Sequence, residues 1–320
     1  MNKKSRIALL ILIILLIIFN KSRINPYYSQ IIQMIAINAI LALGLNLVFG
    51  HTGQISIGQA GFYALGAYTS AILEIKLNVS FLIAWPSAVI LTCLVAYAIG
   101  KPILKLHGHY LAMATIAFGM IVESLATNWL PVTSGHDGIY IPTREVLGPL
   151  VAQNLFEIVV ISTGFLYVVC ENIEYSRIGR AIRSVRENEI GASAIGIEHS
   201  KYKVMMFVLG GGFSAIAGIF YAHLNTVITP EVFNMHTSIQ ILMIVVLGGI
   251  GSNIGVVMAA TIVTILPELL YGFAGYNILV YGVLVCIVLV FAPKGLFGLI
   301  EYPKRLKNKL FVKEGGNGIT

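Results

Sequence analysis

The sequence predicts an all-α protein, a polytopic integral membrane helical bundle of about ten spans with a broken or re-entrant helix among them. Three observations predict it. Of the 320 residues, 57% are hydrophobic and 11% charged, and the mean hydropathy is +0.86, whereas a soluble globular chain is about one quarter charged. Apolar runs near transmembrane length recur along the whole chain, separated by short polar gaps. Lys and Arg gather in alternate gaps, as they do on one side of a membrane. Together these exclude an ordinary soluble enzyme. The net charge of +7 points to membrane topology and not to nucleic acid. No polar window is long enough to bury a core of its own, so residues 1–320 form one membrane domain.

A helix crossing the hydrocarbon layer needs about 20 mostly apolar residues. The candidate runs are 7–19, 31–49, 55–73, 81–99, 110–130, 151–170, 204–222, 239–250, 255–272 and 278–292. The first is short, rising only about 20 Å. Lys3, Lys4 and Arg6 precede it as in a signal peptide, but Lys21 and Arg23 follow where the small residues of a cleavage site belong. It reads as a helix. With the N-terminus cytoplasmic and ten alternating spans, inside segments 1–6, 50–54, 101–109, 171–203 and 293–320 hold 17 of the 21 Lys and Arg, and outside segments hold 4. Merging 239–272 into one span would put the basic tail outside, with Lys304, Arg305, Lys307 and Lys309. Parity therefore asks for a break at 247–253, either a cytoplasmic turn or a re-entrant dip. Both termini are then cytoplasmic.

Helices in lipid associate through close backbone approach and a few polar contacts. Gly210, Ser214 and Gly218 form one small-residue stripe and Ala60, Ala64 and Ala67 another, while Asn38, Ala42 and Asn46 share a face. Helix packing accounts for all three. The polar, glycine-rich stretch 50–59 is more informative, because irregular backbone at membrane depth is tolerated only where protein covers it or it lines a wet cavity. A helix starting near Ser56 would present its positive end to a carboxylate; a cytoplasmic turn with a capping serine is the alternative. Glu123 and Glu268 fall within runs, where an ionisable group is a functional candidate by default. Glu268 sits near the outer end of its run, and Glu123 lies deeper.

The inside loop 171–203 carries Arg180, Arg183 and Arg186 at three-residue steps, with Ile182, Val185, Ala192 and Ile195 at helical intervals. One or two surface helices follow. Glu187, Glu189 and Glu198 spoil a lipid-binding face, which favours a protein partner. Outside, Asp137, the only aspartate, stands in an Asp-Gly turn. Cys93, Cys170 and Cys286 lie far apart in apolar runs and read as core packing, with no metal-ligand spacing. No Walker A sequence, HExxH pair or GxSxG elbow occurs. Any ATP-driven motor must be another polypeptide.

The runs GLNLVFGHTGQISIGQAGFYALGAY (44–68), TSGHDGI (133–139), SRIGRAIRSVRENEIGASAIGI (176–197), VLGGIGSNIG (246–255) and FAPKGLFG (291–298), in this order, resemble the LivM-type permeases of branched-chain amino-acid ABC importers. The resemblance implies a multi-pass protein of a prokaryotic inner or plasma membrane. Its implied partners are a LivH-like permease as heterodimer, two cytoplasmic ATPase subunits and an extracytoplasmic substrate-binding protein. No cofactor, metal or nucleic acid is implied for this chain, since the partner subunits use the ATP. The resemblance gives Gly179, Arg180, Arg183, Arg186, Glu187, Glu189 and Gly196 the role of coupling to an ATPase, and Gly135, Asp137 and Gly138 an outer docking role. It raises His51, Thr52, Gln54, Ser56 and Gln59 of the 50–59 stretch to leading pathway candidates, beside Asn46, an amide turned into the bundle, and Glu123, an ionisable group within a run. Substrate identity is not legible, since related systems take urea or short amides. Two other functions compete. An ion-coupled secondary transporter would need intramembrane charges, for which Glu123 and Glu268 are the candidates. A membrane enzyme would need polar residues clustered at one depth, and the seven histidines are scattered.

Overall fold

The computed structural model describes residues 25–269 and Gly282. Run 7–19, the tail 293–320 and, apart from Gly282, run 278–292 lie outside the described residues. Each of the other eight runs is helical over most of its described length. The principal helices are α1 (Pro26–Leu45), α2 (Gln59–Ile75), α3 (Phe81–Ile103), α4 (His109–Asn128), α5 (Leu155–Tyr175), α6 (Arg177–Glu187), α7 (Glu189–Ala194), α8 (His199–Leu224), α9 (Met235–Gly248) and α10 (Asn253–Leu269). Among the described residues, five segments are long and apolar enough to cross a membrane: Pro26–His51, Phe81–Ile103, His109–Asn128, Leu155–Tyr175 and His199–Leu224. The all-α membrane architecture stands, but the count of about ten does not emerge from the described residues. α2 and α9 have 17 and 14 residues, which rise about 26 and 21 Å, and α10 is described over 17 residues up to Leu269.

Lipid supplies no hydrophobic drive between helices, so contact distance decides which helices form the core. α1, α2 and α8 approach most closely, and glycine permits it. A Cβ on Gly66 would stand 2.4 Å from the Ala215 carbonyl oxygen, and one on Gly218 would stand 2.2 Å from that of Tyr63. Gly44 and Gly210 touch in the same way, each Cβ falling within 3 Å of the other's carbonyl oxygen. The two small-residue stripes are therefore packing seams. The outward faces of α3 and α4 carry exposed Leu82, Ile90, Leu94, Met113, Met120 and Leu125, as a surface against lipid does.

Local signals fix several boundaries. Asn25, Ser176, Asn188 and Asn234 cap α1, α6, α7 and α9, each side chain accepting from a first-turn backbone N–H. α9 and α10 form a helical hairpin whose turn uses Gly249 (φ 100°) and Gly251 (φ 91°). That turn packs against the end of α1 and against α6, so the break expected at 247–253 is the tip of a hairpin at the α6 end. At the opposite end β1 (Ile139–Tyr140) pairs antiparallel with β2 (Val227–Ile228), clipping two loops together. This small sheet was not foreseen. Gly138 lies so close that a Cβ would be 2.5 Å from the Ile228 carbonyl oxygen.

Two boundaries correct the sequence reading. α5 continues to Tyr175 and takes Glu171 and Glu174 out of the expected loop, and α2 continues to Ile75 and takes in Glu74. Charge suggested a chain leaving the membrane. In the structure Glu171 and Glu74 are buried and Glu174 half-buried; Asn253 donates to both α5 carboxylates and His223 meets Glu74 Oε2, while Glu74 Oε1 has no hydrogen-bond partner.

Candidate functional site

At the α6 end, α1 passes into a π-helical turn, Asn46–His51. Such wider turns mark functional positions in helices more often than chance. Here the turn brings the fully buried Asn46 side chain to the hairpin tip. Its Nδ2 donates to Asn253 Oδ1 at 2.9 Å, and its Oδ1 accepts from the Gly251 N–H at 2.9 Å. Asn253 Nδ2 in turn donates to Glu174 Oε2 at 3.1 Å and Glu171 Oε1 at 3.3 Å, and Tyr167 donates to Glu171. Arg186, the last arginine of α6, reaches the carbonyl oxygen of Gly50 with its Nη1. One network thus joins α1, α5, α6 and the hairpin tip. It borders a cavity of about 170 Å³ lined by His51, Glu174, Arg183, Arg186 and Gly251.

Beyond Thr52 the chain runs without regular secondary structure through 53–58 and enters the bundle before α2 begins. The helix starts at Gln59, three residues later than expected. Two contacts delay it: the Ile57 N–H donates to Thr115 Oγ1 at 3.0 Å, and Gly58 lies against the Thr115 carbonyl. Ser56 therefore caps nothing. Burial alternates along 52–58, with Thr52, Gln54, Ser56 and Gly58 buried and Gly53, Ile55 and Ile57 facing outward to greater or lesser degree, and Gln59 is buried at the helix start. Thr52 donates to the Val48 carbonyl and to Gln54 Oε1. Gln54 Nε2, Ser56 Oγ and Gln59 Nε2 are buried without a hydrogen-bond partner. Buried polar groups without partners are few in native proteins and ask for water or a ligand. α2's N-terminus adds a positive dipole end beside them, and the Ala60 N–H already donates to Ser238 Oγ.

The pathway candidates thus divide. Asn46 and His51 belong to the α6-end network, and Thr52, Gln54, Ser56 and Gln59 form the buried inner row. Glu123 joins neither. It is half-buried on α4, and the bond at this residue is made by its backbone carbonyl, which accepts from Thr127. Of the coupling candidates, Gly179 is buried and packs its Cα against the end of α5, where a Cβ would be 2.2 Å from the Glu174 carbonyl oxygen. Arg180, Arg183, Glu187 and Gly196 are exposed, and Glu189 pairs with Lys203 at 2.5 Å. At the other end Gly135 is buried and Asp137 exposed, with Gly138 closing the turn into β1.

Sequence reasoning missed several members. Asn253, Glu171 and Glu174 went unnoticed, although two carboxylates three residues apart directly after an apolar run are a visible signal. Ile190 and Ile195 were not seen as surface residues, yet they are 85% and 73% exposed beside α6. Large apolar side chains on a polar face mark a contact surface. Asn253 is the hub of the network, and Asn253→Asp is expected to be worse than Asn253→Ala. Alanine leaves Asn46 and two carboxylates short of a partner at about 1–3 kcal/mol each; aspartate adds a third carboxylate to the same spot. Thermal unfolding of the detergent-purified chain reads the order, and equal melting of the two variants would contradict it.

The family described as "Branched-chain amino acid transport system / permease component" matches residues 27–293. The "High-affinity branched-chain amino acid transport system permease protein LivM" of Salmonella typhimurium is 30% identical over 305 residues, covering 87% of this chain and 72% of that protein. The corresponding LivH protein of the same organism is 26% identical over 217 residues, covering 61% of this chain and 69% of its own. The "Ribose import permease protein RbsC" of Escherichia coli is 28% identical over 235 residues, 68% of each. No solved structure matches the chain.

Proposed function

The chain belongs to the family of branched-chain amino-acid transport permease components, and from that premise we propose that it is one membrane subunit of an ATP-binding-cassette importer for branched-chain or related small amino acids. A LivH-like permease completes the membrane part, two cytoplasmic ATPases hydrolyse ATP, and an extracytoplasmic binding protein delivers the solute to the β1/β2 end. The α6 end faces the cytoplasm. There Arg180, Arg183, Ile190 and Ile195 present a mixed basic and apolar surface suited to a protein partner.

The observation that carries this reading is the contact between Arg186 and the Gly50 carbonyl. A displacement of α6 by a docked motor reaches the end of α1 and the hairpin tip through it, and so reaches the irregular segment at 53–58. The unpartnered amides and hydroxyl of Gln54, Ser56 and Gln59 are the groups this motion exposes to a zwitterionic solute. The solute biases the equilibrium only through different affinities for the two states.

Reconstitution of the assembled complex tests the reading, with ATP hydrolysis and uptake measured together for leucine, valine, urea, a short amide and ribose. Coupled uptake of an aliphatic amino acid is expected. Uptake without any ATPase subunit would overturn it. Replacing 179–186 by a neutral linker is expected to abolish ATPase association and leave membrane insertion intact; unchanged association would remove α6 from the docking surface.

A further inference from the structure

The cavity at the α6 end carries groups that the network around it leaves in part unused. Its volume of about 170 Å³ is well below the ~300 Å³ at which pockets for drug-sized ligands begin. It is too small for a nucleotide and has room for a solute of a few carbon atoms. Charges of both signs line it: Arg183 and Arg186 of α6, and Glu174 of α5. Each arginine uses one nitrogen on a backbone carbonyl, Arg183 Nη2 on Glu174 at 3.2 Å and Arg186 Nη1 on Gly50. A guanidinium has several further N–H donors, and in pairs they suit a carboxylate. Glu174 Oε2 accepts from Asn253 at 3.1 Å, and a carboxylate keeps lone pairs for another donor, such as an ammonium. The remaining wall is aliphatic, with Ile173 of α5, Ile182 of α6 and Ile250 of the hairpin tip. His51 also lines the cavity, and its Nε2 is buried without a hydrogen-bond partner. A buried polar atom of this kind asks for water or a ligand. As donor or acceptor, according to tautomer, it can meet either end of a zwitterion. A simple anion would satisfy the arginines but face Glu174 as a like charge, and a simple cation would face the arginines. A small zwitterion with an aliphatic side chain matches all three kinds of wall.

We propose that this cavity binds a zwitterionic aliphatic amino acid arriving from the cytoplasm, and that the bound molecule ties α6 to α5 and the hairpin tip, so that accumulated product slows its own import. The direction of approach and the effect on transport rest on the importer reading; the binding site does not. The ligand carboxylate goes to Arg183 and Arg186, its ammonium to Glu174 and its side chain to the isoleucines. A molecule bridging these elements opposes the displacement of α6 that a docked motor must produce. It does so to the extent that it binds the undisplaced arrangement more tightly than the displaced one.

The test begins with the full chain alone in detergent, its thermal unfolding followed with leucine, isocaproate, isoamylamine or inorganic phosphate added. Leucine is expected to raise the melting temperature. The two analogues, each lacking one charged end, and phosphate are expected to leave it unchanged at the same concentration. No shift with leucine would overturn the proposal, and so would phosphate matching leucine, which would mark a plain anion site. Glu174→Gln keeps an oxygen for Asn253 and removes the partner of the ammonium, so leucine is expected to bind on the order of tenfold to a hundredfold more weakly. Ile250 is 43% exposed, so Ile250→Trp fills the cavity without entering the core. It is expected to melt like wild type without leucine and to lose the shift with it. Leucine binding that survives both variants but falls in Gln59→Leu would place the solute in the pathway, overturning this site and leaving the importer reading intact. In vesicles holding the assembled complex, leucine loaded inside is expected to slow ATP-driven uptake several-fold for wild type and not for Ile250→Trp. Equal slowing of both would overturn the regulatory role. No ATP-driven uptake into empty vesicles would refute the importer reading, and the regulatory role with it, while binding to the chain alone still decides the site.

Discussion

Replacing Gly50 by alanine is expected to break the junction of α1, α6 and the hairpin tip, and with it transport. A Cβ at this position would stand 2.0 Å from Asn46 Oδ1 and 2.8 Å from both Asn46 Cγ and the Gly251 nitrogen. The flexible end of a side chain often yields to such a clash at little cost. Asn46 cannot, because both ends of its fully buried amide are engaged at 2.9 Å, with Asn253 and with Gly251. Rotating it away strands partners on both sides, at about 1–3 kcal/mol per buried group. The sum is a large share of the ~5–15 kcal/mol that holds a typical fold. Thermal unfolding of the purified chain and uptake by the reconstituted complex are expected to fall together. Gly53→Ala is the control. Its backbone is left-handed (φ 73°), but a Cβ there would meet only Arg186 Cγ at 3.5 Å, so about 1–2 kcal/mol of backbone strain is expected. A Gly50→Ala protein as stable and active as wild type would show that the network is incidental.

Much of this junction was legible in the sequence as a place and not as a set of contacts. The stretch 50–59 announced irregular backbone because glycines and polar side chains interrupt two apolar runs. What it could not announce was Asn253, 207 residues away, because helical periodicity orders neighbours within one helix and says nothing about which helix arrives opposite. Glu74 was lost for a different reason. A charge at the end of an apolar run argues for water, and only the arrival of His223, 149 residues later, makes a helical interior its better environment. The inward and outward sides of 52–59 were legible in principle. Their burial alternates with period two as far as Gly58, with Gln59 out of phase, but the stretch was read as one polar patch, with a capping Ser56 as the alternative, and the structure shows no such cap. The sheet of β1 and β2 is two residues long on each strand, too short for any pattern to reveal.

Arg186→Ala is expected to separate docking from transmission, and the geometry of α6 says why. Steps of three residues do not keep one face of an α-helix; each falls about 60° short of a full turn at 3.6 residues per turn. Arg186 therefore points about 120° away from Arg180, although the three arginines read as one series along the chain. The structure uses that rotation: Arg186 grips the Gly50 carbonyl and Arg183 donates to the Glu174 carbonyl at 3.2 Å, while all three arginines keep exposed surface. Alanine at 180 or 183 removes charge from the docking surface and should weaken ATPase association. Alanine at 186 removes one charge-assisted bond, worth about 1.5–3 kcal/mol, from the link between α6 and the pathway. Association is expected to persist while uptake falls on the order of tenfold to a hundredfold, with ATP hydrolysis falling less. Arg186→Lys should restore only part of the loss, because an ammonium reaches a carbonyl as a point charge without the planar fork that lies beside Gly251 and the Gly50 carbonyl. Should Arg186→Ala lose its ATPase partner as fully as Arg183→Ala does, the residue belongs to the docking face. The motion of α6 would then need another route to the broken helix.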